Sequence, residues 1–140
     1  MRELSGRLSK LRETFNLDKV DIRQYSPLTL AYIGDAVYDV VIRSYVISKG
    51  NVPNKKLHNE TIKYVSAKAQ SQIIDNIMDI LTEDEANVYK KGTNAKPHSM
   101  AKNASQKEYL KATGLEALVG YLFIKGEDER LLNLIKMGIN

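Results

Sequence analysis

The stretch from Ser26 to Gly50 constrains the fold of this chain more than any other. Ser26 precedes Pro27, the order expected for a helix N-cap followed by proline in the first turn, and Gly50 is a typical helix stop. The residues between them are mainly apolar and span about six helical turns. They predict one long helix that crosses a small domain and carries Asp35 in its apolar part.

Asp35 shares its side of this helix with apolar residues. At about 100° per residue, it falls close to Leu28, Ala31, Ile42 and Val46, while a second apolar arc contains Leu30, Ile33, Val37, Val40 and Val41. We therefore expect a partly buried carboxylate, which needs a partner, a shifted pKa or a bound cation. A structural aspartate held by a cap or a salt bridge is the alternative interpretation.

Helical signals continue along the rest of the chain. A stripe typical of an amphipathic helix over residues 2–15 consists of Leu4, Leu8, Leu11 and Phe15. Asn54 and Ser66 are candidate N-caps of two further helices. The segments Thr82–Glu85 and Ser105–Glu108 have the form of capping boxes, which open helices ending near Gly92 and near Lys125.

A last amphipathic helix carries Leu131, Leu132, Leu134 and Ile135. No segment shows sustained period-two alternation, which would indicate strands. The sequence therefore predicts an all-α fold, a helical bundle around the central helix that begins at Ser26. We expect four tyrosines near helix faces to pack in its core rather than stack on bases, namely Tyr32, Tyr38, Tyr45 and Tyr64.

Composition limits the classes of protein to consider. One domain is the simplest organisation for 140 residues with 43% hydrophobic content. The lack of cysteine excludes a disulfide framework and cysteine-based zinc sites. No run of about 18 apolar residues and no secretory signal occur, so we expect a cytoplasmic protein that is not in a membrane. The net charge of +4 and the pI near 9.2 favour a polyanionic partner.

Glu116 is a second acid in an apolar helix. Its face also carries Tyr109, Ala112, Thr113, Gly120 and Phe123. The small residues on this face, and Gly34 and Ala36 beside Asp35, allow two helices to cross closely with both acids facing each other. Two adjacent carboxylates repel, so one is protonated unless a divalent cation lies between them. Mg²⁺ suits such a site because it binds one or two carboxylates and keeps several waters; pairing of both acids with lysines is the alternative.

The segment from Asn87 to Lys111 contains six lysines and one acid, Glu108. Lysines neutralise phosphates, and amide side chains bond to phosphate or sugar oxygens. The candidate RNA-binding residues are Lys90, Lys91, Asn94, Lys96, Lys102 and Asn103. A solvated lysine-rich loop without a ligand is the alternative.

Several of these segments resemble one family. Tyr32-Ile33-Gly34-Asp35-Ala36-Val37 resembles the hallmark segment of the ribonuclease III catalytic domain, and Leu115-Glu116-Ala117-Leu118-Val119-Gly120 resembles its second acidic motif. Three further segments are similar to the short Mini-ribonuclease III branch: Asn94-Ala95-Lys96, Lys102-Asn103-Ala104-Ser105, and Tyr64-Val65-Ser66-Ala67-Lys68-Ala69-Gln70.

The resemblance implies a ribonuclease III-type endonuclease domain over residues 20–140, preceded by a helical extension and connector over residues 1–19. It implies a homodimer that cleaves double-stranded RNA with Mg²⁺ and matures the large-subunit (23S) ribosomal RNA precursor. Asp35 and Glu116 are then the catalytic residues and the metal ligands. A ribosomal protein that prepares the RNA is a further candidate partner.

Two positions depart from the larger enzymes of the family. Those enzymes have acids where this chain has Ala31 and Thr113, which leaves the number of bound metals open. Asp39, one turn after Asp35, is a candidate auxiliary ligand. The missing acids support an alternative function, a non-catalytic RNA-binding or ribosome-assembly factor on a nuclease fold. A helical protein-interaction module is a third hypothesis.

Overall fold

The computed structural model describes residues 3–95 and 105–140, and every regular element in these ranges is helical. The α-helices are α1 (Glu3–Thr14), α2 (Pro27–Ile47), α3 (Asn54–Val65), α4 (Ala67–Ile77), α5 (Glu83–Asn94), α6 (Gln106–Lys125) and α7 (Asp128–Ile139). Short 3-10 helices cover Ile22–Gln24 and Met78–Ile80. The predicted all-α fold is confirmed.

Local capping chemistry sets most of the helix boundaries. The Ser26 hydroxyl accepts a hydrogen bond from the Thr29 backbone N–H at 3.1 Å, which starts α2. Thr82 and Glu85 form both bonds of a capping box at the start of α5. Gly126, with a φ of 78°, ends α6 in the left-handed conformation that favours glycine.

One predicted N-cap was wrong, and one helix ends two residues beyond the glycine near which its end was predicted. Asn54 is the first residue of α3, and Pro53 occupies the cap position without a side-chain hydrogen bond. Helix α5 continues through Gly92 to Asn94. The reason is tertiary, since Gly92 packs against α6, where a Cβ at this position would lie only 2.8 Å from the Cα of Gly114.

Helix α6 occupies the centre of the bundle. Ten of its 20 residues are buried, and it packs against α2, α4 and α5. The sequence pattern predicted α2 at the centre, but α2 lies against one side of α6 and leaves Val40 and Ile47 more than half exposed. A helix that is apolar or small on nearly every side, as α6 is, becomes the buried element.

The largest apolar cluster joins α6 to the helices around it. Its fully buried members include Ile42 from α2, Ile74 from α4, Leu118 from α6 and Leu131 from α7. Helix α1 packs against the same cluster through Leu8. The division between residues 1–19 and 20–140 stays a prediction.

The tyrosine prediction was right for two residues and wrong for two. Tyr38 is 1% exposed and Tyr64 is partly buried, whereas Tyr32 is 81% and Tyr45 is 41% exposed. Within the described ranges, no helix combines the length and the apolar character that a membrane span requires.

Candidate active site

Two glycines bring α2 and α6 into backbone contact beside the two acids. A Cβ added to Gly34 would overlap the carbonyl oxygen of Glu116, and one added to Gly120 would overlap that of Leu30. Only glycine leaves room for such an approach. Because Gly34 precedes Asp35, this crossing places the Asp35 and Glu116 side chains next to each other.

The two carboxyl groups form a hydrogen bond. Burial, followed by the hydrogen bond and the charge of Asp35, raises the pKa of Glu116 to about 8. At neutral pH the Glu116 carboxyl therefore keeps its proton and donates the hydrogen bond to Asp35. The two acids lie next to each other, as predicted. Asp35 was expected to be partly buried but is exposed, and Glu116 is the partly buried acid.

Gln70 is a third polar side chain at this pair, and the sequence pattern did not assign it a role. It is 4% exposed, and its interaction with Glu116 opposes the rise in the pKa of that carboxyl. The Gln70 Nε2 also donates to the Val65 carbonyl at 3.0 Å. One feature of the sequence indicated that Gln70 is buried. It lies on the apolar stripe of α4, one turn before Ile73 and Ile74.

The other candidate ligands do not add a carboxylate to the pair. Asp39 forms a salt bridge with Arg43 at 2.9 Å. Ala31 is buried in a small cluster, and the Thr113 hydroxyl donates to the Tyr109 carbonyl at 3.0 Å. Across residues 3–95 and 105–140, no three Asp, Glu, His or Cys side chains gather as a metal site would require.

The donor set nevertheless fits a hydrated Mg²⁺ ion. Asp35 is open to solvent, Glu116 has only neutral or acidic side-chain partners, and no lysine or arginine within the described ranges forms a salt bridge with either acid. A divalent cation can replace the proton that the two carboxyl groups share. Two carboxylates are also the usual protein contribution where Mg²⁺ completes its shell with water and phosphate oxygens.

The described part of the basic segment lies beside the helix that carries Glu116. Lys90, Lys91 and Asn94 are exposed at the end of α5, which packs on α6 through Gly92 and Gly114. The other three candidate RNA-binding residues, Lys96, Lys102 and Asn103, lie outside the described residues. The structure therefore places part of the positive charge against α6 at Gly114, two residues before Glu116.

Known proteins resemble this chain over most of its length. The family model described as "Ribonuclease III domain" matches residues 28–127. A Mini-ribonuclease 3 of Clostridium tetani is 50% identical over 123 residues, which cover 87% of this chain and 82% of that protein. A Mini-ribonuclease 3 of a Thermoanaerobacter species is 43% identical over 129 residues, covering 92% of this chain and 91% of the relative.

A solved structure gives the same result for the fold. The crystal structure of a protein from Fusobacterium nucleatum matches with a TM-score of 0.76 and 32% identity, covering 84% of this chain and 94% of that one. The named relatives favour an enzyme over the non-catalytic alternative. The chain therefore belongs to the ribonuclease III family, in its Mini-ribonuclease 3 branch, and is an endoribonuclease acting on RNA.

Proposed function

We propose that this endoribonuclease hydrolyses double-stranded RNA in a Mg²⁺-dependent reaction and matures the large-subunit ribosomal RNA precursor. Asp35 and Glu116 are its catalytic residues and hold the metal. The observation that carries the proposal is the hydrogen-bonded carboxyl pair at the crossing of α2 and α6. The basic end of α5 beside the same helix supports a polyanionic substrate.

The residues of the chain position the metal and the RNA and supply the charges that bind them. Asp35 offers an exposed carboxylate, and Glu116 offers a second one after it loses its proton. Held by these two carboxylates, Mg²⁺ would supply a water of lowered pKa and would neutralise charge on the phosphate. Hydrolysis of the phosphodiester leaves a 5′ phosphate and a 3′ hydroxyl. Lys90, Lys91 and Asn94, together with Lys96, Lys102 and Asn103, contact the RNA backbone.

A homodimer places one site near each strand, because a two-fold axis of the protein can coincide with that of a duplex. Exposed apolar side chains on the α1–α2 side support this assembly. Tyr32 and Leu17, 81% and 55% exposed, line an open apolar groove of about 540 Å³ between α1, α2 and α6. A second copy of the chain would cover this surface.

The replacement of Asp35 by Asn tests the proposed chemistry. Removal of an outer-shell partner typically costs 10–100-fold in activity, so we expect Asp35→Asn, which removes a direct ligand, to lower kcat/KM on duplex RNA by more than about 100-fold. Asp39→Asn is the matched control, because Asp39 lies one turn further along α2 and pairs with Arg43. The melting temperatures of both variants show whether they fold.

The assay uses a naked precursor hairpin with Mg²⁺ or with a chelator. Cleavage of naked RNA also tests whether a ribosomal protein partner is required. Full activity of Asp35→Asn would exclude Asp35 from the reaction, and equal cleavage with a chelator would exclude the metal. A preference for single-stranded RNA would contradict the proposed substrate.

A further inference from the structure

Gln70 is the polar group that the proposed function leaves unexplained. It lies on α4, a helix that carries neither acid, and faces the core with Ile73, Ile74 and Ile77. Its side chain is 4% exposed. Burial of an amide among apolar residues is unfavourable unless its polar atoms find partners.

The amide nitrogen donates one hydrogen bond and keeps a second hydrogen for Glu116. Nε2 donates to the Val65 carbonyl at 3.0 Å, and the same side chain interacts with the Glu116 carboxyl, whose pKa it lowers. An amide nitrogen carries two hydrogens, so Nε2 can make both bonds. Val65 ends α3, where the last carbonyls lack donors from their own helix. Gln70 thus connects Glu116 to a fixed point of the backbone.

The same point of the backbone is connected to α2. The Tyr38 hydroxyl donates to the Tyr64 carbonyl at 2.6 Å, and Tyr38 follows Asp35 by three residues on α2. The end of α3 therefore holds the helix of Asp35 through Tyr38 and the side chain of Glu116 through Gln70. This arrangement fixes the relative position of the two acids.

The amide oxygen of Gln70 has no such partner. Oε1 is buried, and no group in residues 3–95 or 105–140 donates a hydrogen bond to it. Buried acceptors without donors are rare in folded proteins. A water molecule on a cation held by Asp35 and Glu116 would supply the missing donor. Outer-shell groups at metal sites hydrogen-bond to the ligands and orient them.

We infer that Gln70 is a positioning residue of the acid pair, which orients the Glu116 carboxylate through Nε2 and accepts a hydrogen bond from a metal-bound water through Oε1. This inference rests on the proposed function, because it assumes that Asp35 and Glu116 hold a divalent cation. It assigns to α4 a part in the site that the acids alone do not reveal.

The test measures Mn²⁺ binding by electron paramagnetic resonance, with the metal alone and no RNA. Gln70→Met keeps the length of the side chain and removes its donors and its acceptor, so we expect the affinity for Mn²⁺ to fall about tenfold. Gln70→Glu places a third carboxylate at the pair, so we expect the affinity to rise above that of the wild type. Gln72→Met and Gln72→Glu, at an exposed position on the same helix, are the matched controls.

Opposite shifts in the two Gln70 variants distinguish this role from a merely structural one, which would lower the melting temperature of both and leave Mn²⁺ affinity unchanged. That second result would overturn the inference. An active wild type with unaltered Mn²⁺ affinity in both Gln70 variants contradicts this inference alone. A wild type that binds Mn²⁺ but does not cleave duplex RNA contradicts the proposed function instead.

Discussion

Of the two acids, Glu116 is the one whose charged form is destabilised by burial and by its neighbour. Asp35 keeps its contact with solvent, whereas Glu116 lies partly buried between α2, α4 and α6. A buried carboxyl beside a second carboxyl keeps its proton to a higher pH than a free one. The state of the site at neutral pH therefore depends on whether a cation has replaced this proton.

This proton makes the stability of the metal-free protein depend on pH. The pKa of Glu116 is about 8 in the folded protein and near the ordinary value of 4.5 in the unfolded chain. Between these values the folded state binds more protons, so the free energy of unfolding falls as the pH rises from about 5 to 8. Chemical denaturation in the presence of a chelator measures this slope.

Glu116→Gln provides the comparison, because glutamine has the same shape and no titrating proton. We expect its free energy of unfolding to decline less over the same pH range. Added Mg²⁺ should stabilise the wild type most at the upper end of the range, where the proton no longer competes with the metal. Equal pH slopes for wild type and variant would contradict the raised pKa.

The element that fixes the distance between the acids is the glycine contact of α2 and α6. Helix axes approach this closely only where side chains are absent at the crossing point. Gly34 and Gly120 contribute one such position each, next to the two acid-bearing segments. Close packing and the meeting of the acids therefore have the same cause.

Gly34→Ala should separate the helices. The added Cβ would meet the Glu116 carbonyl group and lie 2.8 Å from the Gly120 nitrogen, and backbone atoms cannot move aside as a flexible side chain does. We expect the free energy of unfolding to fall by about 1–3 kcal/mol or more, and cleavage to be lost with it. Thermal and chemical denaturation measure the first effect.

Gly6→Ala is the matched control, because Gly6 lies in α1 and a Cβ added to it would meet nothing within 4 Å. Replacing a helical glycine without a steric clash should leave stability unchanged or raise it by up to about 1 kcal/mol. If Gly34→Ala behaved like Gly6→Ala, the close crossing would not be required for the fold.

Most element boundaries could be predicted because they depend on local chemistry. Ser26, Ser66 and Thr82 each accept a hydrogen bond from a backbone N–H three residues later, as their sequence context indicated. The end of α5 was predicted only to within two residues, because Gly92 resembles a helix stop locally but packs against α6 inside the helix. A local pattern does not specify which helix packs against a glycine.

The site was predictable in part for the same reason. The spacing of apolar residues placed both Asp35 and Glu116 among small neighbours, and the two acids do meet. The pattern did not reveal that Asp35 is exposed, that Tyr32 faces solvent or that Gln70 contacts Glu116. These three features depend on how the helices pack against one another. The apolar pattern of one helix does not specify that packing.

At the scale of the whole molecule, the proposed homodimer would cover the exposed apolar surface at Tyr32. We expect Tyr32→Asp to shift the protein from dimer to monomer in sedimentation velocity, since a charge at a covered apolar contact is unfavourable. Ile47→Asp is the control, because Ile47 is 60% exposed at the other end of α2. A wild type that sediments as a monomer at micromolar concentration would contradict the homodimer.

The distribution of charge over the whole molecule predicts how RNA binding depends on salt. Lysines that contact phosphates release counterions, so the logarithm of the affinity falls with the logarithm of the salt concentration. Lys90→Gln with Lys91→Gln should weaken binding and reduce this slope by about one for each phosphate that a lysine no longer neutralises. Fluorescence anisotropy with duplex RNA and a chelator measures binding without cleavage. The double variant Lys10→Gln with Lys136→Gln is the matched control, because it removes the same charge from exposed positions on α1 and α7. An equal decrease of RNA affinity in both double variants would show that net charge alone, rather than the end of α5, attracts the RNA.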